Sequence, residues 1–341
     1  MRYLSLQVLR AVAAVAVVVY HAQIICHKYA SRPSATEALL GQFGSYGVDL
    51  FFVLSGFVIL YTIHNTNSSP AGFLTRRLIR IVPLYWVLTL GMVILGVAIY
   101  PRNPMEPRTL LESLLFCAYV FHSRPPLIYV GWSIEYEIFF YAVVTLALAA
   151  ALPVYRAVGL LFLTLYVGLH LLAPAAAAAP GNFGYFLGNP LLFEFVLGLL
   201  LAQLTVGGRM RLLDGAIVLA AIGSSIAMEG VSRLVFAGVP AAVLVWSAVK
   251  TERWTSRYRV MQPLARIGDA SYSIYLVQVM ALPAVGKLVA RFVPGLPADL
   301  LVLTAVVSAV AAGILLYRGI ERPLLKMLQA ALIPVAGAVR A

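Results

Sequence analysis

Three side chains of this 341-residue chain can form an acid–base centre: His21, Asp49 and Glu137. Each falls within a long apolar segment, a few residues from the end that the charge distribution described below assigns to the outer side of a membrane. An imidazole exchanges protons near neutral pH, and a neighbouring carboxylate can fix its tautomer. An ionisable side chain costs at least about 2.5–3.5 kcal/mol in hydrocarbon, so such residues are expected to be functional. These positions predict a buried general-base site.

Arginines supply a second chemistry. Arg10 precedes His21 by eleven residues, which is three helical turns plus about 20°, so the two side chains are expected on one helix face. Arg77 and Arg80 are three residues apart and also share a face, which suits bidentate binding of phosphate. A basic cluster at the inner end of an apolar segment is equally typical of an anchor that contacts anionic membrane lipid. Both interpretations stay open.

Apolar segments must position these side chains. The sequence is 62% hydrophobic and 11% charged, with a mean hydropathy of +0.93, which excludes a soluble globular protein. The first segment is longer than the apolar core of a signal peptide and is expected to be retained as a span. We therefore predict an all-α bundle of about ten transmembrane helices. The segments, each near the roughly 20 residues that span a bilayer, are 4–24, 44–63, 81–100, 132–152, 155–173, 188–206, 212–229, 232–249, 268–287 and 298–317.

The positive charges predict the orientation of these helices. With the first residue inside, sixteen of the 25 Lys and Arg residues lie in inner segments and eight lie in outer segments, with Arg10 inside the first helix. This bias predicts cytoplasmic termini in a bacterial inner membrane and leaves no separate basic domain for nucleic acid. Residues 109–121 are too short to span and are predicted to form one helix at the outer interface, because a span there would invert the bias.

The rest of the sequence predicts a single integral-membrane domain over residues 1–341 without a soluble domain. No metal is expected, because the sequence lacks paired-Cys and HExxH spacings, and it also lacks the Gly-rich loop of nucleotide hydrolases. Cys26 and Cys117 both fall on the predicted outer side, where a disulfide and two separate packing thiols both fit. Ser55 lacks the strand–turn–helix setting of a serine hydrolase, so Ser55 and Gly56 are predicted to allow close helix packing.

Six sequence motifs occur in an order that resembles a known family. They are Arg10 and His21 as an R-x10-H pair, GVDLFFVLSGF at 47–57, RLIRIVPLYW at 77–86, WSIEYEIFFY at 132–141, GDASYSIYL at 268–276 and IERPL at 320–324. Together they cover nearly the whole chain. The sequence resembles the acyltransferase-3 family of membrane O-acyltransferases, and within it the branch that acetylates exopolysaccharides.

The resemblance implies further site residues and one departure. Trp132, Tyr141, Tyr272 and Tyr275 fall on family motifs and are expected to position substrate. Where the family commonly has a histidine after SYxxYLx, this chain has Gln278. An amide donates and accepts hydrogen bonds but exchanges no proton near pH 7. A proton relay through Gln278 is therefore not expected. Positioning of substrate and a purely structural bridge between neighbouring helices both fit this residue.

The family resemblance and the residue chemistry together imply an O-acetyltransferase with acetyl-CoA or another acyl-CoA as co-substrate and no permanently bound cofactor. The phosphates of acyl-CoA are expected to bind to Arg77 and Arg80, with help from Arg10. His21 is expected to deprotonate a sugar hydroxyl, while Asp49 or Glu137 orients the imidazole. The expected acceptor is a lipid-linked or polymeric sugar, and polysaccharide-synthesis machinery is expected as a further partner. Direct transfer and an acyl-histidine intermediate both fit.

Two other functions are compatible with these residues. A transporter of glycan, lipid or acyl groups could use the same polar layer without turnover, although the sequence contains no internal repeat of the kind common in transporters. A structural subunit of a polysaccharide synthase would not need His21 at all.

Overall fold

The computed structural model describes residues 3–29, 35–66, 69–99, 106–122, 124–208, 211–229 and 232–333. This part of the chain folds into α-helices and contains no strand, which confirms the all-α prediction. Short 3₁₀ turns at Gly41–Tyr46 and Tyr129–Gly131 and π turns at Leu234–Gly238 and Tyr317–Glu321 connect or extend them. The helices are α1 (Leu4–Cys26), α2 (Ala35–Leu40), α3 (Gly47–Asn65), α4 (Pro70–Ile99), α5 (Pro107–Leu114), α6 (Ala118–His122), α7 (Trp132–Ala149), α8 (Val154–Leu172), α9 (Pro174–Ala178), α10 (Phe183–Leu187), α11 (Leu191–Gly207), α12 (Leu212–Glu229), α13 (Val239–Thr255), α14 (Met261–Asp269), α15 (Ser271–Phe292), α16 (Ala298–Leu316) and α17 (Arg322–Leu332).

Most of the predicted spans are long helices. The predicted segment at 212–229 corresponds to α12, whose 18 residues rise about 27 Å against a hydrocarbon core of about 30 Å. Within the described ranges, nine stretches are long and apolar enough to cross a membrane: Leu4–Ile25, Phe43–Asn65, Pro70–Gly96, Tyr129–Ala149, Val154–Leu172, Phe183–Gly207, Leu234–Thr255, Ser271–Phe292 and Ala298–Leu332. The protein is therefore a polytopic all-α membrane protein.

The third span begins earlier than hydropathy predicts. Helix α4 starts at Pro70, eleven residues before the predicted start at 81. Proline is favoured at the first helical position, and the Ser69 hydroxyl accepts a hydrogen bond from the Gly72 N–H at 3.1 Å. Arg77 and Arg80 lie inside this helix, as the shared helix face predicted from their spacing requires.

The prediction of one continuous interfacial helix at 109–121 is wrong. Two short helices, α5 and α6, occupy this stretch, and neither is long enough to span a membrane. Phe116 between them has φ 56°, a left-handed conformation that ends a helix.

Burial raises the pKa of the Cys117 thiol, which donates a hydrogen bond to the Glu112 carbonyl at 3.6 Å. The side chain of Cys26, the other half of the considered disulfide, lies outside the described residues.

The described chain divides into two compact units, and the first comprises Met1–Phe51 and Leu244–Glu321. Its core joins α1, α15 and α16 through small side chains that let the helices approach closely, among them Ala14, Ala305 and Ala309. The carboxylate of Glu252 accepts hydrogen bonds from the N–H groups of Leu4 and Ser5, at 2.9 and 2.8 Å. Glu252 therefore caps the helix that carries Arg10 and His21.

The second unit comprises Phe52–Val243 and Arg322–Ala341. Helices α3 and α11 cross at Gly56 and Gly198, where a Cβ on either glycine would lie 2.1 Å from a carbonyl oxygen of the other helix. The predicted packing role of Gly56 is thereby confirmed. An ion pair between Arg156 and Asp214, at 2.7 Å, joins α8 to α12.

Candidate active site

In the first unit, His21 forms a hydrogen bond with Gln278, the residue at which the sequence departs from the family pattern. Nδ1 of His21 lies 3.2 Å from Oε1 of Gln278. The amide nitrogen of Gln278 donates to the Tyr275 carbonyl at 2.9 Å, and Gln278 is fully buried. Because a carbonyl oxygen can only accept, the nitrogen of the amide must face Tyr275 and its oxygen must face His21.

This hydrogen bond selects the tautomer of His21. The Gln278 oxygen can only accept, so Nδ1 carries the proton in the neutral ring and Nε2 carries the basic lone pair. The ring also bonds to the carbonyl of Val17, one helical turn earlier. An imidazole reaches such a carbonyl through Nδ1, as His170 does to the Tyr166 carbonyl at 2.8 Å. Both acceptors favour the Nδ1–H tautomer, which leaves Nε2 as the nitrogen that can act as a base.

Arg10 and His21 both form hydrogen bonds with helix α15. Its Nη2 donates to the Ser271 hydroxyl at 3.0 Å, and both Ser271 and Gln278 belong to α15. Arg10 and His21 therefore do lie on one face of α1, as their spacing predicts. Ser271 was not singled out in the sequence, although it stands inside the GDASYSIYL motif.

The remaining predicted site residues of the first unit are Asp49, Tyr272 and Tyr275. Asp49 is fully buried in the first turn of α3, where the partial positive charge of a helix N-terminus favours a carboxylate. The ring of Tyr275 packs edge-to-face on Phe51, with centroids 6.1 Å apart. Tyr272 is half-buried one turn earlier on α15.

In the second unit, Glu137 is held by two hydroxyl groups. Ser55 donates to its Oε1 at 2.6 Å, and the Tyr141 hydroxyl donates to the same oxygen. Ser55, which lacks the setting of a serine-hydrolase nucleophile, is thus a hydrogen-bond donor to Glu137. The sequence could not reveal it, because Ser55 and Glu137 are 82 residues apart on different helices.

Arg77 lies near this carboxylate. Its guanidinium lies over the rings of Phe73 and Tyr141, with centroid distances of 5.6 and 5.9 Å. Sequence position predicts Arg77 in an inner basic layer and Glu137 in an outer acidic layer, but Tyr141 contacts both. Helix α4 packs against α7, and this packing brings Arg77 into contact with Tyr141. Arg80 is half-buried on the same helix.

Trp132 begins α7 and contributes to an aromatic cluster. Its ring centroid lies 5.8 Å from that of Tyr119 and 6.1 Å from that of Tyr136. Among the described side chains, no group of three or more His, Cys, Asp or Glu residues is arranged to hold a metal ion.

A comparison with protein families identifies the chain. The model of the acyltransferase domain of the acyltransferase-3 family matches residues 3–318. The chain belongs to this family. The acyltransferase is 32% identical over 296 residues to the exopolysaccharide production protein ExoZ of Rhizobium meliloti (strain 1021), covering 83% of this chain and 90% of that protein. It is 28% identical over 367 aligned positions to the acyltransferase MdmB of Streptomyces mycarofaciens, covering 95% of this chain and 92% of that protein. No solved structure matches it significantly.

These findings make the protein a membrane O-acyltransferase. The acyltransferase carries its predicted site residues in two sets, each within one unit. The first unit contains Arg10, His21, Asp49, Tyr272, Tyr275 and Gln278, and the second contains Arg77, Arg80, Trp132, Glu137 and Tyr141.

Proposed function

We propose that this acyltransferase moves a short acyl group, acetyl in the first instance, from cytoplasmic acyl-CoA to a hydroxyl of an exopolysaccharide or another surface glycan. We place it in the bacterial inner membrane with both termini in the cytoplasm, in accord with the bias of its positive charges. The name of the exopolysaccharide production protein from Rhizobium meliloti supports a glycan acceptor. The observation that carries the proposed chemistry is the hydrogen-bond chain from His21 through Gln278 to the Tyr275 carbonyl.

In the proposed reaction, Nε2 of His21 removes the proton of the sugar hydroxyl as the oxygen attacks the thioester carbon. The new C–O bond gives a tetrahedral intermediate, which collapses as the C–S bond breaks. The imidazolium then returns its proton to the departing CoA thiolate. An acyl-histidine route remains compatible with the same residues, since the basic Nε2 can also act as a nucleophile.

The donor's phosphates are assigned to Arg77 and Arg80 in the second unit, and Arg10 remains a proposed donor contact in the first. A guanidinium stacked on aromatic rings keeps its N–H edge available, and that edge matches the oxygens of a phosphate. Glu137, held by Ser55 and Tyr141, is proposed to balance the positive charge of Arg77.

Replacement of Gln278 should separate positioning of His21 from a merely structural role. Gln278→Leu removes the acceptor at Nδ1, so we expect about a tenfold loss of acylation, as one hydrogen bond of roughly 1.4 kcal/mol implies. Gln278→His restores the family residue and should stay active, with a new pH dependence near the histidine pKa of about 6.5. The measurement is the initial rate of acyl transfer between pH 5 and 8. Equal rates and identical pH profiles for the wild type and both variants would leave Gln278 as a packing residue.

The proposed function is tested on the glycan itself. Deletion of the gene from its host should remove acyl signals from the exopolysaccharide in NMR and mass spectra while leaving the sugar backbone unchanged, and complementation should restore them. Membrane vesicles that contain the protein should transfer label from [14C]acetyl-CoA to added polysaccharide. Unchanged acyl content after deletion would refute the proposal. Passage of label across the membrane without its attachment to glycan would favour a transporter.

A further inference from the structure

The second unit contains a cavity to which only Trp132, among its lining side chains, has so far been given a role. Its volume is about 590 Å³, within the roughly 300–1,000 Å³ typical of sites for small ligands. Residues of six helices (α6 to α10 and α12), of the start of α11 and of the stretches just before α11 and before the Leu234–Gly238 turn line it. Among them are Tyr119, Trp132, His170, Tyr185, Asn189 and Arg233. All six are half-buried, so each keeps part of its surface accessible.

Aromatic rings form one part of the cavity lining. Trp132 and Tyr119 pack 5.8 Å apart, and the hydroxyls of Tyr119 and Tyr185 are hydrogen-bonded. Burial raises the pKa of Tyr119 to about 12, so this phenol keeps its proton at neutral pH. Such rings offer flat apolar faces with polar edges.

Polar groups complete the lining. Nδ1 of His170 donates to the Tyr166 carbonyl at 2.8 Å, which leaves Nε2 as the acceptor nitrogen of the neutral imidazole. Arg233 supplies donors and is the single cation among the described residues that line the cavity; none of them is a carboxylate. The cavity therefore offers flat apolar faces, donors and an acceptor, but little net charge.

We propose that this cavity is the acceptor subsite, which binds one or two sugar residues of the glycan. A pyranose ring has an apolar C–H face that suits Trp132, and hydroxyls that both donate and accept, as Arg233 and His170 require. The inference rests on the proposed function and extends it by locating the acceptor.

A donor in this cavity is disfavoured by charge and position. Acyl-CoA carries several phosphates, and one arginine without further cations is a weak match for them. The lining also lies at the first residue of α7 and near the last residues of α8. The positive-charge bias assigns both helix ends to the outer side, where a surface glycan is available.

Glu135 holds one wall of this subsite in place. Its carboxylate accepts hydrogen bonds from the N–H groups of Tyr119 at 3.0 and 3.1 Å and of Val120 at 2.9 Å. These bonds fix α6, a five-residue helix too short to be stable by itself, against α7. Glu135 is thus a positioning residue for Tyr119 rather than a contact to the sugar.

The test measures acceptor and donor separately. The acceptor is a set of oligosaccharides released from the producing strain's exopolysaccharide and chemically deacylated, and the donor is [14C]acetyl-CoA. Trp132→Leu removes the aromatic face, while Ala178→Trp fills the cavity from an exposed lining position and removes no contact. Each should raise the KM for oligosaccharide about tenfold and leave the KM for acetyl-CoA unchanged. Trp132→Phe keeps an aromatic face and should raise the oligosaccharide KM less than Trp132→Leu does. The matched control Trp254→Leu, whose side chain is exposed, should stay close to the wild type.

Two results would overturn the assignment. One is an unchanged oligosaccharide KM in both Trp132→Leu and Ala178→Trp. The other is a raised KM for acetyl-CoA alone, which would give the cavity to the donor. If the wild type acylates no oligosaccharide, the proposed function fails. In that case, binding of the same oligosaccharides to the wild type and to Ala178→Trp, followed by tryptophan fluorescence, tests separately whether the cavity binds sugar.

Discussion

Replacing His21 with alanine should lower glycan acylation by about 10²–10⁴-fold, the range that a general base contributes. The variant should insert normally, because alanine is well tolerated in a helix and the substitution removes a polar side chain from an apolar helix. The rate is measured in membrane vesicles with [14C]acetyl-CoA and deacylated polysaccharide, at protein levels matched by immunoblot. His64→Ala is the matched control, since His64 is exposed at the far end of α3 and should leave the rate unchanged.

Near wild-type acylation by His21→Ala would contradict the proposed mechanism and would favour a structural subunit or a transporter.

The same vesicle preparation distinguishes direct transfer from an acyl-histidine intermediate. Incubation of the wild type with labelled donor and no acceptor should leave the protein unlabelled if transfer is direct. Label that remains on the wild type after denaturation, and is missing from His21→Ala, would instead indicate an acyl-histidine.

The double variant Arg77→Ala/Arg80→Ala should weaken binding of acyl-CoA by about 100-fold or more. Each charged hydrogen bond to a phosphate contributes about 1.5–3 kcal/mol, so the loss of two corresponds to at least that factor. Calorimetric titration of the purified protein with acetyl-CoA measures it. Arg257→Ala/Arg259→Ala removes the same two charges from exposed positions on the predicted cytoplasmic side and should keep the wild-type affinity.

Equal affinities for the wild type and the Arg77/Arg80 variant would return these arginines to the role of membrane anchors. Tyr141→Phe refines the comparison, because it keeps the ring under the Arg77 guanidinium and removes only the hydroxyl that donates to Glu137. Donor affinity should therefore survive in this variant. A large loss of affinity would mean that Glu137, through Tyr141, controls the phosphate contact.

Much of the architecture follows from local properties of the sequence. A helix that crosses a bilayer must satisfy its own backbone hydrogen bonds over about 20 apolar residues, so hydropathy alone locates most of the spans. The helical period likewise places Arg10 and His21 on one face, as their contacts to α15 confirm. The start of α4 was missed because Ser69 and Pro70 begin the helix in polar sequence, which a hydropathy pattern does not register.

The partners of the site residues depend on tertiary structure. The period of a helix defines which face a residue occupies but not which helix packs against that face. Gln278 bonds to His21 across 257 residues, and Ser55 donates to Glu137 across 82. The sequence determined the span positions, the chemistry of His21 and Arg77, and the family. The tertiary structure alone decided that an amide orients the imidazole and that Tyr141 joins Arg77 to Glu137, because such contacts arise from the packing of separate helices.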